Sequence, residues 1–117
     1  MTIREAAKAL GAEIVQSEFL DCELTTAYTS DLLSDVIANA VRTGRGALIT
    51  IQAHENTVAV ATLVGISAVI ICNSRPIPDD MIEAAKNEGI AILRVSENQF
   101  TVSGKLYPFF IGSQKSN

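Results

Sequence analysis

Three short apolar runs rich in β-branched residues constrain this chain most: Ala47-Leu-Ile-Thr-Ile-Gln52, Ala68-Val-Ile-Ile-Cys72 and Ala91-Ile-Leu-Arg-Val95. Each is hydrophobic without alternation, as a strand covered on both faces of a parallel sheet is. Segments of helical character separate them, which is the βαβαβ pattern. The crossover after Pro78 is clearly punctuated. Pro78 suits the first helical position, Asp79 and Asp80 complement the positive end of the helix dipole, Lys86 lies near the negative end, and Gly89 can take a left-handed cap. The other crossover, Asn56–Val64, is apolar on nearly every side. Such a helix is buried against the sheet and against something else, which in so small a chain points to a second subunit.

Upstream, Ser30 is a good N-cap for a helix carrying Leu32, Leu33, Val36, Ile37, Ala40 and Val41 at helical spacing, closed by Arg42 and Gly44. Residues 2–10 predict a short amphipathic helix ended by Gly11, and Ile14-Val15 and Glu23–Tyr28 predict two further strands. Ser96-x-x-Gln99 resembles a capping box opening a final helix, although Thr101, Val102 and Gly104 are poor helix formers and leave 97–107 open between helix and strand. The polar residues after Gly112 are expected to fray. The expectation is one α/β domain over residues 1–112, three layers (α/β/α) around a mainly parallel sheet, with a frayed tail over 113–117.

At 117 residues and 48% hydrophobic content the chain has enough core for one domain and is too apolar for intrinsic disorder. Nine Lys and Arg against thirteen Asp and Glu give a net charge of −4, and the cations are scattered. No basic stripe is available for a phosphate backbone, so a nucleic-acid partner is not expected. Cys22 and Cys72 make neither a disulfide framework nor a metal-ligand spacing, and free thiols in a reducing cytosol are the default. Arg4, Glu5 and Lys8 interrupt the N-terminal apolar stretch, which excludes a signal-peptide core there. The longest apolar run, Val58–Cys72, falls short of the ~20 residues a spanning helix needs. A cytoplasmic protein without a membrane partner is expected.

No catalytic motif is spelled out: there is no Walker loop, no G-x-G-x-x-G after a strand, no H-E-x-x-H and no G-x-S-x-G. Thr43-Gly44-Arg45-Gly46 lies between a helix and a strand, whereas a phosphate cradle precedes a helix, so it reads as an αβ turn. Asp31 and Asp35, four apart on one expected helix face, would suit Mg²⁺ or acid–base work only with further ligands, and none is evident. They read better as complements to a helix N-terminus. No metal, cofactor or catalytic residue is expected.

Position singles out another group. Open parallel sheets bind ligands outside the carboxyl ends of their strands. The sole histidine, His54, stands there with Gln52 and Asn56, Asn73 and Arg75 follow the next strand, and Ser96 follows the third. His54, Arg75, Gln52, Asn56 and Asn73 could converge as donors for a carboxylate or phosphate. The competing reading has His54 and Asn56 capping a helix while Arg75 pairs with a surface acid.

The run Ala27-Tyr-Thr-Ser-Asp-Leu-Leu-Ser-Asp-Val36, followed by Ile-Thr-Ile-Gln-Ala-His-Glu-Asn-Thr-Val-Ala-Val-Ala at 49–61, resembles the DRTGG domain family. The resemblance covers roughly residues 2–107, and its most specific parts are S-D-L-L-S-D-V and I-x-x-H-x-N. The naming motif is degenerate. Asp21-Cys22-Glu23-Leu24-Thr25-Thr26-Ala27 stands where the family shows Asp-Arg and then Thr-Gly-Gly, so the arginine and both glycines of a potential anion-contacting loop are missing. Such domains are similar to the N-terminal domain of HPr kinase/phosphorylase, an α/β domain without the kinase site. They also occur as inserts in some phosphotransacetylases and CBS-domain pyrophosphatases, and as stand-alone proteins near iron hydrogenase genes. The resemblance therefore implies a non-catalytic regulatory module, homodimeric, that binds a small anionic ligand (a nucleotide or phosphorylated metabolite) or a partner enzyme. The alternatives are a pure protein-interaction subunit of a redox or hydrogenase system and a small enzyme using His54 as general base. The family offers no established catalytic residue to carry over.

Overall fold

A computed structural model describes residues 1–115 except 41, 43 and 44. The elements run α1 (Ile3–Leu10), β1 (Glu13–Gln16), β2 (Thr26–Thr29), α2 (Leu33–Asn39), β3 (Gly46–Thr50), α3 (Glu55–Val64), β4 (Ile66–Ile71), α4 (Asp79–Glu88), β5 (Ala91–Arg94) and α5 (Gln99–Lys115). The sheet order is β1-β5-β4-β3-β2, with β2 to β5 parallel and β1 antiparallel at one edge.

The parallel strands follow one another across the sheet without a reversal, so α2, α3 and α4 stack on a single face. Their Val36, Val58, Ala61, Val64, Met81 and Ala85 form one core with Leu48, Val69 and Ile92. On the opposite face Ile3, Ala6 and Leu10 of α1 and Val102, Leu106 and Phe110 of α5 bury Ile49, Ile70 and Leu93. The central strands β3 and β4 are covered on both sides, which is why their sequences are continuously apolar. The result is the expected three-layer α/β architecture.

Local signals explain most boundaries. Thr2 and Glu5 make a reciprocal capping box on α1, and Gly11 closes it at φ 61°. Gly89 closes α4 in the left-handed conformation, and Lys86 lies in its last turn. Pro78 is the N-cap of α4 rather than its first residue. Three other expectations are corrected. The helix after Ser30 starts later, at Leu33, because the Ser30 hydroxyl accepts from Leu32 N–H (3.2 Å) and adds a turn first. It ends at Asn39 with Ala40 as its C-cap, although Arg42 does donate to the Ile37 carbonyl at its C-terminal end (2.7 Å), and Gly44 and the Thr43-Gly44 turn lie outside the described residues. Ser96 does not cap α5; Asn98 does, its Oδ1 accepting from Thr101 N–H at 3.0 Å.

Residues 97–107 resolve as loop and helix, and α5 continues to Lys115, into the segment expected to fray; the rest of that tail lies outside the described residues. The strand expected over Glu23–Tyr28 is shorter, since Glu23 makes only an isolated bridge to Thr2. Helix α3 buries Val58, Ala61 and Val64, but Leu63 is 60% exposed, so its outer face is open in the single chain. Near the end of α5, Phe110 is buried and Phe109 exposed.

Candidate functional site

Parallel pairing brings the carboxyl ends of β2, β3, β4 and β5 to one edge of the sheet. The loops leaving that edge carry every residue singled out by position. Gln52 and His54 lie in the β3–α3 loop and are half-buried; Asn56 is exposed in the first turn of α3. Asn73, Arg75 and Ser96 are exposed on the two neighbouring loops.

Gln52 is held at both ends. Its Nε2 donates to the Asp31 carbonyl (2.9 Å), which turns Oε1 toward His54 Nε2 at 2.8 Å. Since Oε1 only accepts, His54 Nε2 is the donor of this bond. His54 occupies the N-cap position of α3 without a side-chain capping bond, so the capping reading does not describe its imidazole. Instead Thr57 Oγ1 donates to the Gln52 carbonyl (2.6 Å), fixing the start of the helix to the loop.

The β4–α4 loop is locally strained. Asn73 and Ser74 have φ of 61° and 52°, a left-handed conformation that costs non-glycine residues about 1 kcal/mol or more each. The cost is met by fixed bonds. Asn73 N–H donates to the Glu97 carbonyl (3.0 Å), Ser74 N–H to Val95 (2.8 Å) and Arg75 N–H to Cys72 (3.4 Å). These backbone donors are consumed internally, so only side chains remain at this loop to meet an anion. Arg75 makes no ion pair among the described residues, against the expectation of a surface acid partner.

At the centre stands Asp31. Its Oδ1 accepts from Thr50 Oγ1 (2.9 Å), Ile51 N–H (2.9 Å) and Gln99 Nε2 (2.8 Å). Desolvation is the largest single influence on this carboxyl and raises its pKa. The bonds from Ile51, Gln99 and Thr50, with the charge of Arg75, outweigh it and hold Asp31 below its ordinary value. Arg75 and Asp31 thus share one electrostatic neighbourhood. The buried Cys72 thiol is pushed up to about 11 by desolvation, helped by the Asp31 charge.

The expected pairing of Asp31 with Asp35 on a helix face does not form. Asp31 precedes the helix and turns toward β3, whereas Asp35 accepts from Tyr28 Oη and Asn39 Nδ2, both at 2.8 Å. No cluster of three metal-ligating side chains occurs among the described residues. The degenerate 21–27 segment lies at the opposite end of β2 and is spent on α1: Asp21 pairs with Arg4 (3.2 Å), Cys22 accepts from Ile3 N–H, and Glu23 pairs with the Met1 amine (2.9 Å). Position in the sequence had suggested neither Asp31 as the hub nor Gln99 as its partner. Only the three-dimensional approach of residue 99 to residue 31 reveals them.

Three cavities lie outside the group of His54 and Arg75. One of about 330 Å³ separates α3 from α4, one of about 600 Å³ separates α1 from α5, and one of about 70 Å³ lies between β2 and α5. None of the three is lined by His54 or Arg75.

Among solved structures, the chain is similar to the CBS and DRTGG domains of the regulatory region of Clostridium perfringens pyrophosphatase, in complex with its activator diadenosine tetraphosphate. The TM-score is 0.70 at 13% sequence identity, over 90% of this chain and 45% of that one. The fold is DRTGG-like. This chain therefore spans less than half the length of the regulatory region it resembles. No family model matches the sequence, and no curated protein matches it. No helix among the described residues is long and apolar enough to cross a membrane.

Proposed function

We propose that this chain is a non-catalytic regulatory module, cytoplasmic and homodimeric, that binds a small anionic ligand, a nucleotide or phosphorylated metabolite, at the carboxyl edge of its sheet. The observation that carries the reading is Arg75. It is an exposed cation without an ion-pair partner among the described residues, on a loop whose strained backbone is pinned in place, with its charge felt at Asp31. An Arg fork of this kind suits phosphate or carboxylate. His54, held by Gln52, and Asn56 and Asn73 offer further polar groups at the same edge of the sheet. The DRTGG-like fold supports the regulatory part, since the similar region binds a nucleotide activator.

Neither Cys72 nor Asp31 supports an enzymatic role at this edge. Cys72 is the nearest thiol, and burial keeps it protonated. Asp31 is committed to three donors and already ionised, so it is a poor proton shuttle near neutrality.

A thermal-shift screen of adenine mono- and dinucleotides and phosphorylated metabolites tests the reading. A ligand at 100 times its Kd adds about 2.7 kcal/mol to stability, a readily measured rise in Tm. A flat response to every anionic compound, with binding of none by calorimetry, overturns it.

A further inference from the structure

The two edges of the sheet are treated differently. Edge strand β1 carries Glu13, which Arg94 grips with two bonds of 2.8 and 2.9 Å, and its register slips between Ile14 and Gln16. Charge and irregularity are the usual means by which an edge avoids pairing with another chain. Edge strand β2, Thr-Ala-Tyr-Thr, has no charge, no proline and an unbroken register on β3. Its other side meets no strand among the described residues, so alternate residues turn backbone N–H and C=O groups outward.

Helix α5 overhangs that same edge. Ser103 Oγ lies 2.7 Å from Thr29 Oγ1, and Tyr107 lines the small cavity with Ala27 and Thr29. Phe100, seven residues before Tyr107, falls on the same flank of the helix. Phe100 is 87% exposed and Tyr107 53%.

We propose that the β2 edge and the Phe100–Tyr107 flank of α5 form a two-fold interface with a second copy of this chain, β2 pairing antiparallel with β2 of the partner. This rests on the homodimeric reading above and locates it. A two-fold axis normal to the sheet makes the strand its own complement and keeps both α5 helices on one face, flank to flank. The result is a continuous ten-stranded sheet. In a chain of net charge −4, an uncharged flank is where two copies meet without repulsion. Phe100 and Tyr107 alone would bury on the order of 500 Å² between two copies. That is about half of a stable contact, and the strand edges between them supply the remainder.

The test is the mass of the full chain by light scattering at micromolar concentration, with hydrogen exchange of the β2 amides. Wild type is expected at twice 12.5 kDa with slow exchange in β2. Phe100→Lys and Tyr107→Lys should give folded monomers with fast exchange there, while Ile14→Lys on the other edge should remain dimeric. If Tyr107→Lys fails to fold, Phe100→Lys carries the test, since that side chain is almost wholly solvated. A wild-type dimer that survives both α5 changes, or that Ile14→Lys dissociates, overturns this surface and leaves the dimeric reading standing. A monomeric wild type overturns both. A monomer that binds vesicles or another protein through Phe100 assigns the flank to that occupant instead.

Discussion

Gln99, the first residue of α5, donates from Nε2 to Asp31 Oδ1 at 2.8 Å, tying the last helix to the loop between β2 and α2. The same oxygen holds Thr50 and Ile51 at the end of β3. One carboxylate thus joins three segments that meet nowhere else in sequence. Asp31→Ala leaves three donors without their acceptor, among them the fully buried Thr50, and should cost about 2–3 kcal/mol. Gln99→Ala removes one donor and leaves the acceptor satisfied, costing about 1 kcal/mol. Equal losses in urea denaturation would argue against a hub.

The same carboxylate sets a pH dependence. Its folded pKa lies below the unfolded value, so the native state binds fewer protons through that window. The stabilisation is complete above about pH 4–5 and is lost as pH falls through the folded value. Glu5 and Asp35 are shifted in the same direction and add to the same slope. Asp31→Asn keeps an acceptor but cannot titrate. Its deficit relative to wild type should shrink as pH is lowered from about 6 to about 3 in urea titrations, and a constant deficit would contradict the assignment.

The central strands, both crossovers and the C-terminal caps of α1 and α4 were legible because each rests on local signals: unbroken β-branched runs, Gly11 and Gly89. The candidate site was legible only as a set of positions. Placement at strand ends follows from parallel topology, and Gln52, His54, Asn73 and Arg75 do stand there. Asp31 was misplaced onto a helix because Ser30 is as good an N-cap by type as any residue nearby. What decides the matter is the long-range pull of Thr50, Ile51 and Gln99, which no local pattern encodes. Ser96 misled in the same manner, since Asn98, two residues on, offers the competing cap.

Gly89 closes α4 at φ 73°, and the ring of Phe19, itself at φ 69°, lies 3.6 Å from where a Cβ would stand. The space admits a methyl group in ordinary contact, so any cost is conformational. Gly89→Ala should destabilise by about 1 kcal/mol, the penalty for left-handed backbone in an L-residue. Gly104, in open surroundings within α5 and at negative φ, should respond oppositely: Gly104→Ala should gain up to about 1 kcal/mol from helix propensity. Thermal melts that move in the same direction would defeat this contrast.

The two cysteines should separate by reactivity. Cys22 is exposed, whereas Cys72 is buried with its thiol raised to about 11. At pH 8 only about a thousandth of Cys72 is thiolate, and that fraction is shielded. An aromatic disulfide reagent should titrate one thiol rapidly in native protein and the second only on unfolding. Fast reaction of both would show that the β4 end opens far more readily than its packing implies.

Binding and stability should come apart at the carboxyl edge. Arg75 is exposed and makes no ion pair among the described residues, so Arg75→Ala should lower Tm only slightly, through its lost charge near Asp31, while weakening an anionic ligand by about 1.5–3 kcal/mol, roughly 10- to 100-fold. Arg75→Lys keeps the charge but loses the planar fork, and should recover only part of that loss. His54→Ala removes the 2.8 Å contact to Gln52, which is still anchored to the Asp31 carbonyl. It should therefore cost no more than about 1 kcal/mol in stability while weakening the ligand comparably to Arg75→Ala. Calorimetric titration beside thermal melts separates the outcomes. If either variant lowers Tm substantially and leaves affinity intact, that residue serves the fold, and the ligand lies elsewhere.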